Sequence, residues 1–323
     1  MFLYINYPSW IQPQIFPGVK FLGLLRWYGL MYAVAFAIAY FLLKKVAKEG
    51  ALDTKTYKVK DDDIYSFIFT GIVFLLIGAR IFSTLIYDTS INYYKRPWLI
   101  FWPFYNGHFT GFEGMSYHGG FFGGIIGMIV WCKRHKVSFL KWSDAMVCAI
   151  PLGYTFGRIG NFLNGELYGR ITTMPWGVVF PHAESYSGSL EWVKEFAAKI
   201  GMDISSNALV NLPRHPSQLY EAFFEGIVLW LVIWFFRKHK KFDGMLGAIY
   251  AGGYGIVRFF IEYFRQPDAD LGYRIGNSKA PTYLNTSLAN ISTGQILCFL
   301  MILFAIIYAF CGYKISKKAK EKK

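Results

Sequence analysis

Charge is scarce in this sequence. Of its 323 residues only 17% are Asp, Glu, Lys or Arg, where a soluble domain of this length carries about 25%. Water-soluble surface of ordinary extent is therefore excluded, and 54% hydrophobic and 20% aromatic residues take its place. Cysteine is rare too. The four, Cys132, Cys148, Cys298 and Cys311, fall in or at the cytoplasmic ends of apolar runs, which favours buried free thiols over external disulfides. No CxxC or HExxH pattern occurs, so neither a metal site nor another cofactor is expected. The opening stretch MFLYINYPSWIQPQIFPG lacks a basic segment and is interrupted by prolines, so it does not read as a cleavable signal peptide. Its Tyr, Trp and Phe suit an arm lying at a membrane interface. Tandem repeats and low-complexity linkers are missing as well, which leaves one bundle with unequal loops.

What is present in quantity is long apolar runs. Those near residues 22–43, 64–87, 115–132, 144–160, 216–236, 244–264 and 291–313 are long enough, or nearly so, for helices crossing a roughly 30 Å hydrocarbon core. The expected fold class is all-α: a polytopic membrane bundle of about seven transmembrane helices. The two shortest runs, 115–132 and 144–160, are the most interrupted by Gly or Pro.

The charge that exists is placed unevenly. KKVAKEGALDTKTYKVKDDD, KRHKVSFLK, RKHKK and the C-terminal KISKKAKEKK follow alternate runs and hold 20 of the 34 Lys and Arg. That asymmetry puts those segments in the cytoplasm and the N-terminus outside. Net charge +14 thus orients the chain and calls for no nucleic acid. The outside loop at about 170–215 is the only one large enough to fold a small cap. Within it EWVKEFAAKI aligns Trp192, Phe196 and Ile200 on one helical face, a stripe that packs a core or docks on lipid. The chain reads as a single membrane-embedded domain, 1–323, with that cap and a basic cytoplasmic tail at about 314–323.

Polar groups inside the runs carry the functional signal. At 1.5 Å per residue from the inner ends, Arg80 lies roughly 24 Å up its span, Arg158 roughly 21 Å and Arg258 at a similar height, with Glu262 one turn further out. Arg26 and His118 begin runs that enter from outside. Six groups from five spans therefore share one level. An arginine at a helix centre costs roughly 2.5 to 3.5 kcal/mol on insertion scales, so several are kept only where they pair, face a cavity or bind something. Arg258 and Glu262 are spaced i,i+4 and can neutralise each other. The remaining excess is cationic, which suits an anion, and phospholipid phosphates are the nearest.

Three further stretches belong to the argument. HGGFFGGIIG places Gly119, Gly123 and Gly127, and Gly120 and Gly124, at small-xxx-small spacings for close helix approach. RHPSQLYE, residues 214–221, reads as a helix start in which Ser217 and Glu221 serve cap and dipole, while His215 and Gln218 have no such use. GRIGNFLNGELYGR, residues 157–170, concentrates Arg158, Asn161, Asn164, Glu166 and Gly169 beside an apolar run.

Together RWYGLMY, GMSYHGG, GRIGNFLNGELYGR, RHPSQLYE and GYGIVRFFIEYFRQPD, in order along the chain, resemble the prolipoprotein diacylglyceryl transferases of bacteria. The resemblance implies an inner-membrane enzyme of seven spans with its active site toward the outer leaflet. Such an enzyme moves the diacylglyceryl group of phosphatidylglycerol to the lipobox cysteine thiol of a preprolipoprotein, forming a thioether and releasing glycerol phosphate. On family grounds Tyr28, His118, Arg158, Asn161, Glu166, Gly169, Tyr254, Arg258 and Glu262 match functional positions. Arg158 and Arg258 suit a leaving phosphate, and His118 suits the thiol proton, with Glu166, Glu262 or a tyrosine as alternatives. Tyr28, Arg80, Asn161, Asn164, Glu166, Gly169, His215, Gln218, Tyr254 and Glu262 are the expected substrate-binding set. The chain departs from the family pattern at Glu113, where a second glycine is common, and in a long 88–113 loop. A lipid transporter or flippase would share the arginines but needs a polar path to the inner side, which the apolar inner halves do not offer. An intramembrane protease needs a Ser/His or paired-Asp set; GxSxG is missing, and Asp144 has no second intramembrane aspartate.

Overall fold

A computed structural model describes residues 4–16, 26–88, 92–105, 107–109, 114–204, 208–267 and 272–321. Glu113 and the first residues of the 22–43 run lie outside the described residues. The chain is mostly helical: α1 (Trp27–Lys48), α2 (Asp61–Phe82), α3 (Asn92–Lys95), α4 (Tyr117–Arg134), α5 (Phe139–Val147), α6 (Ile150–Leu163), α7 (Glu191–Lys199), α8 (Ser217–Tyr220), α9 (Leu229–Phe236), α10 (Met245–Ile261) and α11 (Thr293–Glu321). A π-helical stretch, Ser83–Tyr87, prolongs α2, and another, Glu221–Val228, fuses α8 to α9. Each of the seven apolar runs thus contains helix.

Four of these helices, Trp27–Lys48, Asp61–Tyr87, Ser217–Phe236 and Thr293–Lys318, are long and apolar enough to cross a membrane, and Met245–Ile261 is a shorter apolar helix. Along α11, Phe299, Leu300, Leu303, Phe304, Ile306, Ile307 and Phe310 are all exposed. Apolar surface on that scale is covered by lipid, so this is a membrane protein.

The 144–160 run, expected as one helix, is two. Pro151 has no N–H and its ring collides with the carbonyl of Val147, four residues back. Accordingly α5 ends at Val147 and α6 restarts at Ile150 with Pro151 in its first turn. Other helix starts follow capping chemistry. Asp63 accepts from the Lys60 amide at 2.8 Å, Ser116 accepts from the Gly119 amide at 3.1 Å, and Ser292 and Gln295 form a reciprocal box at the head of α11.

Two compact units are formed, with boundaries inside α1 and α5: Tyr40–Met146, and Met1–Ala39 with Val147–Lys323. In the Tyr40–Met146 unit α2 and α4 meet through glycine. A Cβ on Gly119 would overlap the Gly78 carbonyl, one on Gly123 the Phe74 carbonyl, and one on Gly127 would come within 2.8 Å of the Phe74 side chain. In lipid, where no hydrophobic force drives helices together, such close backbone approach supplies the attraction. The parallel series Gly120 and Gly124 does not take part in that way, since Gly124 has nothing within 4 Å.

Among the described residues the other unit contains three two-stranded pairings: β1 (Ile5–Asn6) with β4 (Val178–Val179), parallel; β5 (Ser185–Ser187) with β6 (Leu209–Asn211), antiparallel; and β7 (Tyr273–Ile275) with β8 (Ile291–Ser292), antiparallel. The β2–β3 hairpin (Phe104–Tyr105, His108–Phe109) belongs to the first unit. Around α7, Val193, Phe196 and Ile200 pack with Ile171, Tyr186, Val210 and Leu212, while Trp192 is partly buried at the edge. The apolar stripe is therefore a core.

Introducing one methyl at Gly123 (Gly123→Ala) should destabilise the protein by about 1 to 3 kcal/mol through overpacking, whereas Gly124→Ala should change stability by less than about 0.5 kcal/mol. Thermal unfolding of the two variants in detergent checks the contrast, and equal midpoints would contradict the close α2–α4 contact.

Candidate active site

Two arginines and three carboxylates share one buried network in the unit that holds α6, α8–α9 and α10. Arg158 sits on α6 and Arg258 on α10; Glu221 and Glu225 come from the π-helical stretch and Glu262 from the end of α10. The Glu221 carboxylate lies 2.7 Å from Arg158 Nε and 3.3 Å from Arg258 Nη1. Arg258 also reaches Glu262 at 3.1 Å and Glu225 at 3.8 Å. Glu221 and Glu225 are fully buried and Glu262 nearly so. Removing one member of such a set costs about 3 to 5 kcal/mol, because it strands an uncompensated charge.

Local structure explains how five charged groups meet. A π-helical stretch within an apolar helix re-aims the side chains that follow it and recurs at functional sites. Gly226 lets that stretch close on α6, since a Cβ there would overlap the Thr155 hydroxyl, which itself donates to the Ala222 carbonyl at 3.1 Å. Tyr154, one turn before Arg158, accepts from Arg158 Nε at 2.7 Å and touches Glu221 at 3.2 Å and Glu225 at 2.5 Å. Its ring stands edge-on to Tyr254, centroids 6.0 Å apart.

Arg158 leads outward to the polar end of its block. Its Nη1 donates to Asn161 Oδ1 at 3.3 Å, and the Asn161 amide donates to Glu166 at 2.9 Å. Asn164 donates to the same Glu166 oxygen at 3.4 Å. Glu166 is exposed, whereas Asn161 is buried. Tyr28 packs on Gly160, where a Cβ would lie 3.2 Å from its ring, and its hydroxyl meets that of Tyr32 at 3.2 Å.

Several expectations change once contacts are visible. Glu221 was expected to serve a helix dipole, yet it is the anion shared by both arginines. With Glu225 added, carboxylates outnumber arginines in this network, so the expected cationic excess is not found here. Ser217 does not cap α8; its hydroxyl donates to the Leu167 carbonyl at 3.3 Å, and Gln218 donates to the Glu166 carbonyl at 2.6 Å. Both hold the 165–169 turn, in which Gly165 and Leu167 adopt positive φ of 66° and 56°. Gly169, expected to bind substrate, is explained by packing, since a Cβ would overlap the Phe264 carbonyl and crowd His215.

Arg80 and His118 belong to the Tyr40–Met146 unit. Arg80 is buried and spends its guanidinium on the carbonyls of Ile100 (2.5 Å) and Gly114 (3.4 Å), anchoring the chain before α4 instead of standing free for an anion. His118 is exposed, and its Nδ1 meets the Tyr87 hydroxyl at 2.7 Å. Arg26, also exposed, bridges to Gln14 through the backbone.

Sequence reasoning missed Tyr154, Glu225 and the Ser292 hydroxyl, which donates to Glu262 at 3.0 Å. A signal for one of them existed: two carboxylates at i,i+4 inside the apolar EAFFEGIVLWLVIWFF stretch are as costly as any intramembrane arginine. Tyr154 and Ser292 carried none, because each is an ordinary residue for its position.

The chain matches the prolipoprotein diacylglyceryl transferase family over residues 19–311. It belongs to that family. It is similar to the phosphatidylglycerol–prolipoprotein diacylglyceryl transferase of Treponema denticola, 53% identical over 337 residues that cover 100% of this chain and 98% of the relative. The protein of the same name from Treponema pallidum is 51% identical, covering 96% of both chains, and that from Borrelia garinii 42% identical, covering 98% of this chain and 95% of the relative. Within this diacylglyceryl transferase family member the buried arginine network lies wholly inside the matched residues.

His215 offers a test of the packing around that network. Burial, reinforced by the Arg170 charge, lowers its imidazole to about 4, against about 6.5 in an unfolded chain. Between those values the unfolded chain holds the proton and the folded one does not. The associated stability is therefore complete above pH 6.5 and lost as pH falls toward 4. Acidification from pH 7 to pH 5 should cost about 2 kcal/mol through this residue, seen as a fall in thermal midpoint that His215→Gln largely abolishes. A variant with the wild-type pH slope would show that His215 is solvated in the folded protein.

Proposed function

We propose that this chain transfers the diacylglyceryl group of phosphatidylglycerol to the lipobox cysteine thiol of a preprolipoprotein. Its relatives carry that activity in their names over nearly their full length. The observation in this chain that carries the reading is the Arg158–Glu221–Arg258 network, because the reaction requires fixed positive charge beside a leaving phosphate. Sulfur attacks a primary glycerol carbon, the carbon–oxygen bond to phosphate breaks, a thioether forms and glycerol phosphate departs with the electron pair.

Arg158 and Arg258 are assigned to the phosphate. Glu221 holds both in place, 2.7 Å from Arg158 Nε and 3.3 Å from Arg258 Nη1. Asn161, Asn164 and Glu166, linked to Arg158, are assigned to the glycerol hydroxyls, and Tyr28 and Tyr254 to the lipid path. His118 is assigned the thiol proton on the strength of its own surroundings: Nδ1 is held by Tyr87 and the ring is exposed. Gly169, His215 and Gln218 are assigned a supporting part, holding the turn that bears Glu166. Neither transport nor proteolysis gains support from the relatives' names.

The same reading makes residues 1–323 one transferase domain in the bacterial cytoplasmic membrane. It has seven spans, the N-terminus outside, the 170–215 cap and active site on the outer side, and the 314–323 tail in the cytoplasm. Alternation of basic loops supports it.

Purified protein given phosphatidylglycerol and a lipobox peptide should yield thioether-linked diacylglyceryl peptide and glycerol phosphate. Arg158→Lys keeps the charge but loses the planar fork, so turnover should fall about tenfold to a hundredfold. No product from the folded wild-type protein would overturn the proposed function. For topology, a reporter fused after Lys240 should report from the cytoplasm and one near Ser187 from outside; the reverse pattern would invert the orientation.

A further inference from the structure

The Tyr154 hydroxyl has more neighbours than one proton can serve. Arg158 Nε donates to it at 2.7 Å, which uses one lone pair. Two carboxyl oxygens remain in contact, Glu225 Oε2 at 2.5 Å and Glu221 Oε2 at 3.2 Å. A phenol has one hydrogen to give. If both glutamates were ionised, one of those oxygen pairs would face the phenol oxygen with no hydrogen between them. The contacts close only when one carboxyl brings its own hydrogen: that O–H donates to the second lone pair of Tyr154, and the phenol hydrogen goes to the other carboxylate.

Charge says which glutamate holds the hydrogen. Glu221 has Arg158 at 2.7 Å and Arg258 at 3.3 Å, and Glu262 has Arg258 at 3.1 Å. Among the described residues the one ion pair of Glu225 is with Arg258 at 3.8 Å, and it is fully buried. Two arginines and three carboxyl groups balance when the worst-paired carboxyl is neutral. One oxygen of each of the three carboxyls, Oε1 of Glu221 and Glu225 and Oε2 of Glu262, is buried without a hydrogen bond, so it is the distances to the arginines that single out Glu225. The charged and titratable groups acting on it are Tyr154 and Arg158 of α6, Arg258 of α10, Glu221 on its own stretch, and Cys298 of α11.

We propose that Glu225 is a neutral carboxylic acid that donates to Tyr154, and that this pair acts as a positioning device for Arg158 in the transfer reaction. The chain of donation runs from Glu225 to Tyr154 to Glu221, and Tyr154 and Glu221 together fix the Nε edge of Arg158. The guanidinium plane is thereby set, and its Nη groups keep a constant direction. The kinetic part of the inference rests on the transferase reading; the state of Glu225 stands on the contacts alone.

Infrared spectroscopy of the full-length protein at neutral pH, in detergent, tests that state directly. Wild type should show the carbonyl stretch of an un-ionised carboxylic acid, missing from Glu225→Gln and displaced in Tyr154→Phe. A wild-type spectrum without a band that Glu225→Gln removes would overturn the proposal. In the peptide assay, Tyr154→Phe and Glu225→Ala should each lower kcat about tenfold with KM for the peptide unchanged. Glu225→Gln should restore most of the loss, because its amide N–H can donate to Tyr154 as the acid does. Glu225→Gln as impaired as Glu225→Ala would overturn the positioning role. An inactive wild type with the carboxylic band present would refute the transferase reading and leave the assignment of Glu225 supported.

Discussion

Glu221 is the group on which the site depends. Its carboxylate is fully buried and meets guanidinium groups from two helices. It is the carboxylate paired with Arg158 and it shares Arg258 with Glu262 and Glu225, and without the arginines it would carry several kcal/mol of desolvation as an unpaired ion. Such mutual dependence converts a costly composition into a fixed geometry. The guanidinium groups are thereby held in a fixed arrangement, the preorganisation that the proposed transfer calls for.

The surrounding fold is arranged to let this network close. A π-helical stretch carries Glu221 and Glu225, Gly226 brings that stretch against Thr155, and Tyr154 fills the angle between the carboxylates and Arg158. Outside the network the 165–169 turn is tied from beneath by Ser217 and Gln218. Two motifs far apart in the chain therefore form one object: the residues of RHPSQLYE hold the backbone on which Glu166 of GRIGNFLNGELYGR is mounted.

Much of this was legible in the sequence. Apolar runs placed helix at all seven positions, because a chain in lipid must satisfy its backbone within each segment. Glycine spacing at 119, 123 and 127 announced a close contact, and the i,i+4 relation of Arg258 and Glu262 announced their pair. What stayed hidden depends on contacts between distant segments. Nothing in RHPSQLYE distinguishes a glutamate serving a helix dipole from one gripping two arginines, and nothing at Arg80 shows that its partners are the carbonyls of Ile100 and Gly114. The break at Pro151 was readable in principle, since proline interrupts helices, but hydropathy summed across it as though the run were continuous.

The head of α11 narrows what can occupy position 292. Ser292 accepts from the Gln295 amide at 3.2 Å while its own hydrogen goes to Glu262 at 3.0 Å. Four residue types make good helix caps, namely Ser, Thr, Asp and Asn, but this position asks for one that also gives a hydrogen. Aspartate would set a second carboxylate against Glu262, and asparagine, though able to donate, would have to fit a larger planar group beside Gly294, which already lies against that carboxylate. Serine and threonine remain, so a helix start that would tolerate four alternatives in isolation tolerates two once a charged neighbour shares its hydroxyl.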